Sequence, residues 1–145
     1  MKTVSNTSPL IFFSKVSRLE LLKNMFGTIF IPPEVAEELK FPHLPPWILI
    51  KKVHWQDYGK IGKGESAAIA LAVFEHSLLL IDDHRGRTIA KYFEVKMMGT
   101  VGILLFALEK KILSLNECKY LITTLVSDHG LYLSSDLFAK VMREL

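Results

Sequence analysis

One cysteine, Cys118, occurs in the 145 residues. No disulfide can therefore close within the chain, and such thin use of thiols fits a reducing compartment. Long apolar runs are missing too. No stretch approaches the roughly 20 residues that a membrane-crossing helix needs, and the early run Leu10–Phe13 is too short for the core of a secretory signal. The expected location is the cytoplasm, away from membranes. The five histidines (His43, His54, His76, His84, His129) show no paired zinc-site spacing. Gly62-Lys63-Gly64 lacks the remainder of a P-loop, and no serine stands in a Gly-x-Ser-x-Gly elbow. Repeats, low-complexity tracts and linkers are absent as well, so residues 1–145 read as a single domain.

What is present is apolar and mildly basic. Hydrophobic residues make up 50% of the chain, and the mean hydropathy is +0.27. That richness suggests that a partner chain covers some apolar surface, with Phe12, Phe13 and Leu22 as early candidates. The net charge of +3 permits contact with nucleic acid without requiring it.

The stretch Gly62–Ala90 organises the rest. A glycine-rich turn puts Glu65 into the first turn of a helix that is apolar on nearly every side (Ala67 to Phe74), as a helix inside a domain would be. Leu78 to Ile81 has the length and composition of a buried parallel strand. Asp82 and Asp83 end it, and His84 to Arg87 lead into the next helix. Upstream, Lys2–Ser5 and Thr28–Ile31 read as short strands. Asn6-Thr7-Ser8-Pro9 and Pro32-Pro33 read as helix starts. Trp47–Val53 reads as a strand at an edge, His54–Gly64 as a polar loop, and Glu94–Met98 as a further core strand. Helices are expected over Val101–Lys110 and Leu115–Val126, the second capped by Ser114, and a last one is capped by Ser134 or Ser135. Strands alternating with helices predict an α/β domain with a mostly parallel sheet.

In such sheets ligands bind beyond the carboxyl ends of the strands. Asn6, Glu65 and the Asp82/Asp83 pair are expected there, with Glu38 added from the helix after the second strand. Oxygen donors of this kind suit Mg2+ or Mn2+, which activate water for attack on a phosphodiester. Blander roles stand beside this one. Asn6 and Asp82 can be helix caps, Glu65 a first-turn acid favoured by the helix dipole, and Glu37 or Glu38 a solvated charge. Lys60, Lys63, Arg85, Arg87 and Lys91 flank the acids and are candidates for phosphate contact, or simply a wet surface.

The pattern as a whole resembles the PIN-domain nucleases. The resemblance rests on Val4-Ser5-Asn6-Thr7-Ser8-Pro9-Leu10-Ile11, on Glu38 in the helix after the second strand, on Gly64-Glu65-Ser66-Ala67-Ala68-Ile69-Ala70, and on Leu80-Ile81-Asp82-Asp83-His84-Arg85. It implies a three-layer α/β/α fold and a divalent-metal-dependent ribonuclease in which Asn6, Glu38, Glu65 and Asp83 are catalytic. The metal would be Mg2+ or Mn2+ on Asn6, Glu65, Asp83 and Asp82, and the RNA would meet Lys60, Lys63, Arg85 and Arg87. The opening and the Asp82-Asp83 turn look like a prokaryotic branch close to VapC-type toxins, which implies a homodimer and an antitoxin partner. Asn6 departs from the family, where most members carry aspartate. A second reading is therefore a catalytically weak or inactive member that binds nucleic acid or protein. A response-regulator receiver is excluded, because its acidic strand would open the chain instead of falling mid-chain.

Overall fold

Short apolar runs become strands where both faces can be covered, and the longer stretches between them become helices. The computed structural model describes residues 1–59 and 61–145. In chain order the elements are β1 (Thr3–Ser5), α1 (Thr7–Lys15), α2 (Leu19–Phe26), β2 (Ile29–Ile31), α3 (Pro33–Leu39), β3 (Ile48–Ile50), α4 (Lys63–Glu75), β4 (Leu78–Leu80), α5 (His84–Tyr92), β5 (Met97–Met98), α6 (Thr100–Glu109), α7 (Leu115–Asp128) and α8 (Ser135–Glu144). The five strands form one sheet in the order β3-β2-β1-β4-β5. Every pairing is parallel. Helices cover the sheet on both sides in an α/β/α arrangement, as an all-parallel sheet requires.

The core explains the sequence pattern. Val4 of β1, Ile29 and Ile31 of β2, and Leu79 and Leu80 of β4 are fully buried. They meet Leu10 and Phe13 of α1, Ile69 and Leu71 of α4, and Ile103 and Leu104 of α6 in one cluster. Helix α4 packs against β1 and β4 and touches α3 and α5, which accounts for its apolar residues on all sides. It emerges only at its ends, at Lys63 and in the last turn, where Phe74 is 70% exposed. Ser114 caps α7 through a reciprocal capping box with Glu117, and Ser134 caps α8.

Three expectations need correction. The interface candidates Phe13 and Leu22 are fully buried, and Phe12 packs partly against the same core. They face inward because α1 and α2 lie over the sheet, so their apolar residues serve the core. The strand expected over Glu94–Met98 starts only at Met97. Glu94 takes a left-handed conformation, and the N–H groups of Glu94 and Val95 bond back to Lys91 and Ala90. That closing turn uses the donors a longer strand would need. The third concerns α1: the Asn6-Thr7-Ser8-Pro9 signal puts Pro9 at the first helical position, whereas the helix begins at Thr7. The proline still falls in the first turn, where a missing N–H costs nothing.

Candidate functional site

Strands β1 and β4 are neighbours, but the chain goes from β1 towards β2 on one side and from β4 towards β5 on the other. Such a switch point opens a crevice beyond the strand ends. Asn6 follows β1 directly, and its backbone N–H donates to Leu80 O at 2.9 Å, which pins it beside the end of β4. It holds the N-cap position of α1 but makes no side-chain cap bond. The residue is 1% exposed, and its Oδ1 is buried without a partner. The amide nitrogen is used, since the Asn6 side chain donates to Glu65. A buried acceptor left unmatched costs about 1–3 kcal/mol, so Asn6 is not explained as a cap.

Glu65 lies in the first turn of α4. Its carboxylate folds back over Gly62, where any Cβ would collide with it. Burial pushes the Glu65 carboxyl above the usual range, and the negative charges of Glu38 and Asp83 push the same way. The Asn6 bond and the backbone N–H of Glu65 itself act in opposition. Glu38 reaches in from the last turn of α3. Its Oε2 accepts from Thr7 Oγ1 at 3.2 Å, and its Oε1 sits where a side chain on Gly64 would stand. The two glycines before and beside Glu65 thus make room for two carboxylates. Asp83 caps α5 by accepting from Gly86 N at 2.7 Å. Asn6, Glu38, Glu65 and Asp83 therefore share one crevice.

Asp82 faces elsewhere. Its two oxygens accept from Thr100 N at 2.7 Å and Thr100 Oγ1 at 2.6 Å, tying β4 to the start of α6. Burial raises its pKa, opposed by the Thr100 bonds and by the charge of Arg87. Among the basic residues, Lys63 is exposed at the start of α4. Arg85 donates to Gly59 O at 3.2 Å, and Arg87 donates to Ile81 O at 3.0 Å. Lys60 lies outside the described residues. Thr7 and Thr100 were missed in the sequence, where nothing separates them from ordinary helix-start residues.

A family model described as DUF3368, PIN domain, matches residues 2–145. The chain belongs to the PIN-domain family. The PIN fold also appears in a solved structure that this chain resembles, a PilT N-terminus domain protein, SSO1118, from the hyperthermophilic archaeon Sulfolobus solfataricus P2. The TM-score is 0.57 at 19% identity, over 75% of this chain and 95% of that one. No curated protein matches the chain. PIN domains are generally nucleases and typically use divalent metals.

The donor set of this PIN domain fits such a cation in kind. Among the described residues, no three His, Cys, Asp or Glu side chains form a ready-made cage. Magnesium does not need one, because it keeps several waters and takes one or two carboxylates. The unmatched Asn6 Oδ1 supplies a hard neutral donor beside acids whose mutual repulsion a cation would relieve.

Proposed function

We propose that this PIN domain is a divalent-metal-dependent endoribonuclease with Asn6, Glu38, Glu65 and Asp83 as its catalytic group. The observation that carries the reading is the buried, partnerless Oδ1 of Asn6 next to Glu65, whose carboxyl is raised by burial and by the charges of Glu38 and Asp83. Asn6 Oδ1, Glu65 and Asp83 would hold Mg2+ or Mn2+, and Asp82 is left to Thr100. When bound, such an ion would supply Lewis-acid charge and lower the pKa of a water. Glu65 and Glu38 stand on the crevice wall, where a carboxylate can take the proton of an attacking water. Thr7 holds Glu38 in that position. Lys63 and Arg85 lie at the ends of the loop and turn that flank the crevice and would meet the RNA backbone.

The finer reading follows the VapC-like branch, with Asn6 in the place of the first aspartate. It comprises a cytoplasmic homodimer and an antitoxin that blocks the site. Because Phe13 and Leu22 are buried, the apolar surface for partners must come from exposed residues such as Val73, Phe74, Tyr92 and Phe93. A second reading, a member that binds RNA without cutting it, draws on the missing first carboxylate.

The test is cleavage of single-stranded RNA with Mg2+ or Mn2+, comparing the wild type with Asp83→Asn. Asparagine caps a helix as well as aspartate does, so the variant keeps α5 and loses only charge. Loss of one ligand charge, worth ~1–3 kcal/mol, slows cleavage roughly ten- to hundred-fold. Binding of RNA with no metal-dependent cleavage by the wild type would favour the second reading.

A further inference from the structure

The Asp82-Asp83 turn borders two spaces. On the far side from Glu65, a cavity of about 420 Å³ opens between β5, the start of α6 and the segment before α8. Its polar end is Asp82 and Arg87, and its walls include Met98, Leu131, Tyr132 and Leu133. That volume lies within the range of small-ligand pockets, which are mostly apolar with a few placed polar groups. Gly99 keeps the polar end open, because a Cβ there would stand 3.0 Å from Asp82 Oδ1 and 3.1 Å from Arg87 Nη1.

We propose that this cavity seats one unstacked base of single-stranded RNA, with guanine preferred. The proposal rests on the ribonuclease reading above and names a substrate feature that this neighbouring cavity recognises. Position is the first argument. Asp82 and Asp83 are consecutive, so the cavity lies within one nucleotide's reach of the carboxylates. A strand whose phosphate meets Asp83 has its neighbouring base at the cavity mouth.

Chemistry is the second argument. Sequence-specific RNA recognition works on splayed bases, which stack on aromatic or apolar side chains and are read along their edges. Tyr132 stands at the mouth, 87% exposed, as a ring free to stack. Guanine presents acceptors O6 and N7, the usual partners of arginine, next to the N1 and N2 donors that a carboxylate accepts. Arg87 spends Nη1 on Ile81 O, and no ion pair holds it among the described residues. Each Asp82 oxygen accepts one bond from Thr100, and a carboxylate oxygen has room for a second. Adenine offers one donor beside one acceptor on either edge, and uracil a single N3–H between two carbonyls, so each makes fewer of these bonds than guanine with its two acceptors and two donors.

The test measures binding in EDTA, so it does not depend on turnover. Fluorescence anisotropy compares labelled oligouridines with the same strand carrying one guanosine, one adenosine or one abasic site. For the wild type, guanosine should tighten binding about ten-fold over adenosine or the abasic site, in line with one stacked and read base. Tyr132→Ala and Leu137→Trp should abolish that gain, the first by removing the ring and the second by filling the cavity. Tyr132→Phe should keep it. Both positions are exposed, Leu137 at 47%, so the fold survives either change. Asp83→Asn should keep the preference while slowing cleavage, which separates failure of this proposal from failure of the ribonuclease reading. Equal affinity for the four strands, a preference for another base, or a guanosine gain that survives both Tyr132→Ala and Leu137→Trp overturns it.

Discussion

Replacing Asn6 with aspartate changes one atom and reverses the electrostatics of the crevice. The Asn6 amide donates to Glu65, whose carboxyl is already raised by burial, Glu38 and Asp83. Asn6→Asp deletes that donor, at about 1–3 kcal/mol, and adds a like charge. At ~4 Å and an effective dielectric near 20, the repulsion approaches 4 kcal/mol. Protonation of one carboxyl caps the sum, so a metal-free loss of roughly 2–4 kcal/mol is expected. At about 2–4 °C per kcal/mol for a domain of this size, Tm in EDTA falls by roughly 5–15 °C. The sign of the pH dependence follows. A carboxyl raised in the folded state destabilises at pH above its folded pKa. The deficit shrinks as pH falls through that value and is gone below the unfolded value of about 4.

With a divalent cation present, the same charge becomes attractive. The gross Coulomb gain is again about 4 kcal/mol. The lost amide oxygen and the repulsion already present reduce it to ~1–3 kcal/mol, or ten- to hundred-fold in affinity. Melting in EDTA, Mg2+ and Mn2+, together with titration calorimetry, reads both halves. Mn2+ should act on the wild type at lower concentration than Mg2+, because it tolerates an imperfect ligand set better. If Asn6→Asp leaves both the EDTA melting point and the Mn2+ affinity unchanged, the side chain does not feel the acids and the site must be rebuilt from other residues.

Asp82→Ala removes both bonds to Thr100 and should cost about 1–2 kcal/mol as a lost helix-start partner, read as a lower Tm. Glu75 accepts from Lys2 at 2.9 Å and pairs with Lys51, and these bonds hold its carboxyl below the usual range. Its stabilising effect is therefore complete above the unfolded pKa and disappears as pH falls through the folded one. The Tm gap between wild type and Glu75→Gln should close on acidification across the ordinary glutamate range and below it. Ser114→Ala breaks the capping box of α7 and should lower stability by about 1 kcal/mol, seen in denaturant melts.

The parts of the fold that sequence made legible are those set by local chemistry. Leu78–Ile81 between a polar turn and two aspartates reads as a buried strand, and Ser114 ahead of an amphipathic stretch reads as its cap. Trp47–Val53 reads as an edge strand from its lysines; β3 is at the edge but spans only Ile48–Ile50 and leaves both lysines outside. Burial was harder to read. Phe13 and Leu22 are apolar residues on short helices, and nothing local says whether such a face meets the sheet or a partner. Within the crevice, the acids were legible as types, but Thr7 and Gly64 were not. The link from Thr7 to Glu38 spans 31 residues, and the room that Gly64 leaves is taken by a carboxylate that arrives from another helix.

The Asp82-Asp83 pair shows why position in the sequence does not by itself assign a role. Both residues lie past the end of β4, in the turn that leads into α5. Two identical side chains nevertheless meet different surroundings. Asp83 turns to the acids of the crevice and is held by one backbone N–H. Asp82 turns to α6, is satisfied by two bonds and is largely desolvated. Removing a charge at Asp83 leaves the α5 cap in place, because asparagine can replace it there, so the effect falls on chemistry. Removing the side chain at Asp82 unties β4 from α6, so the effect falls on stability. One βα turn can thus anchor the sheet and carry a reactive carboxylate together, since different partners, Thr100 for Asp82 and Gly86 for Asp83, keep the two duties on separate residues.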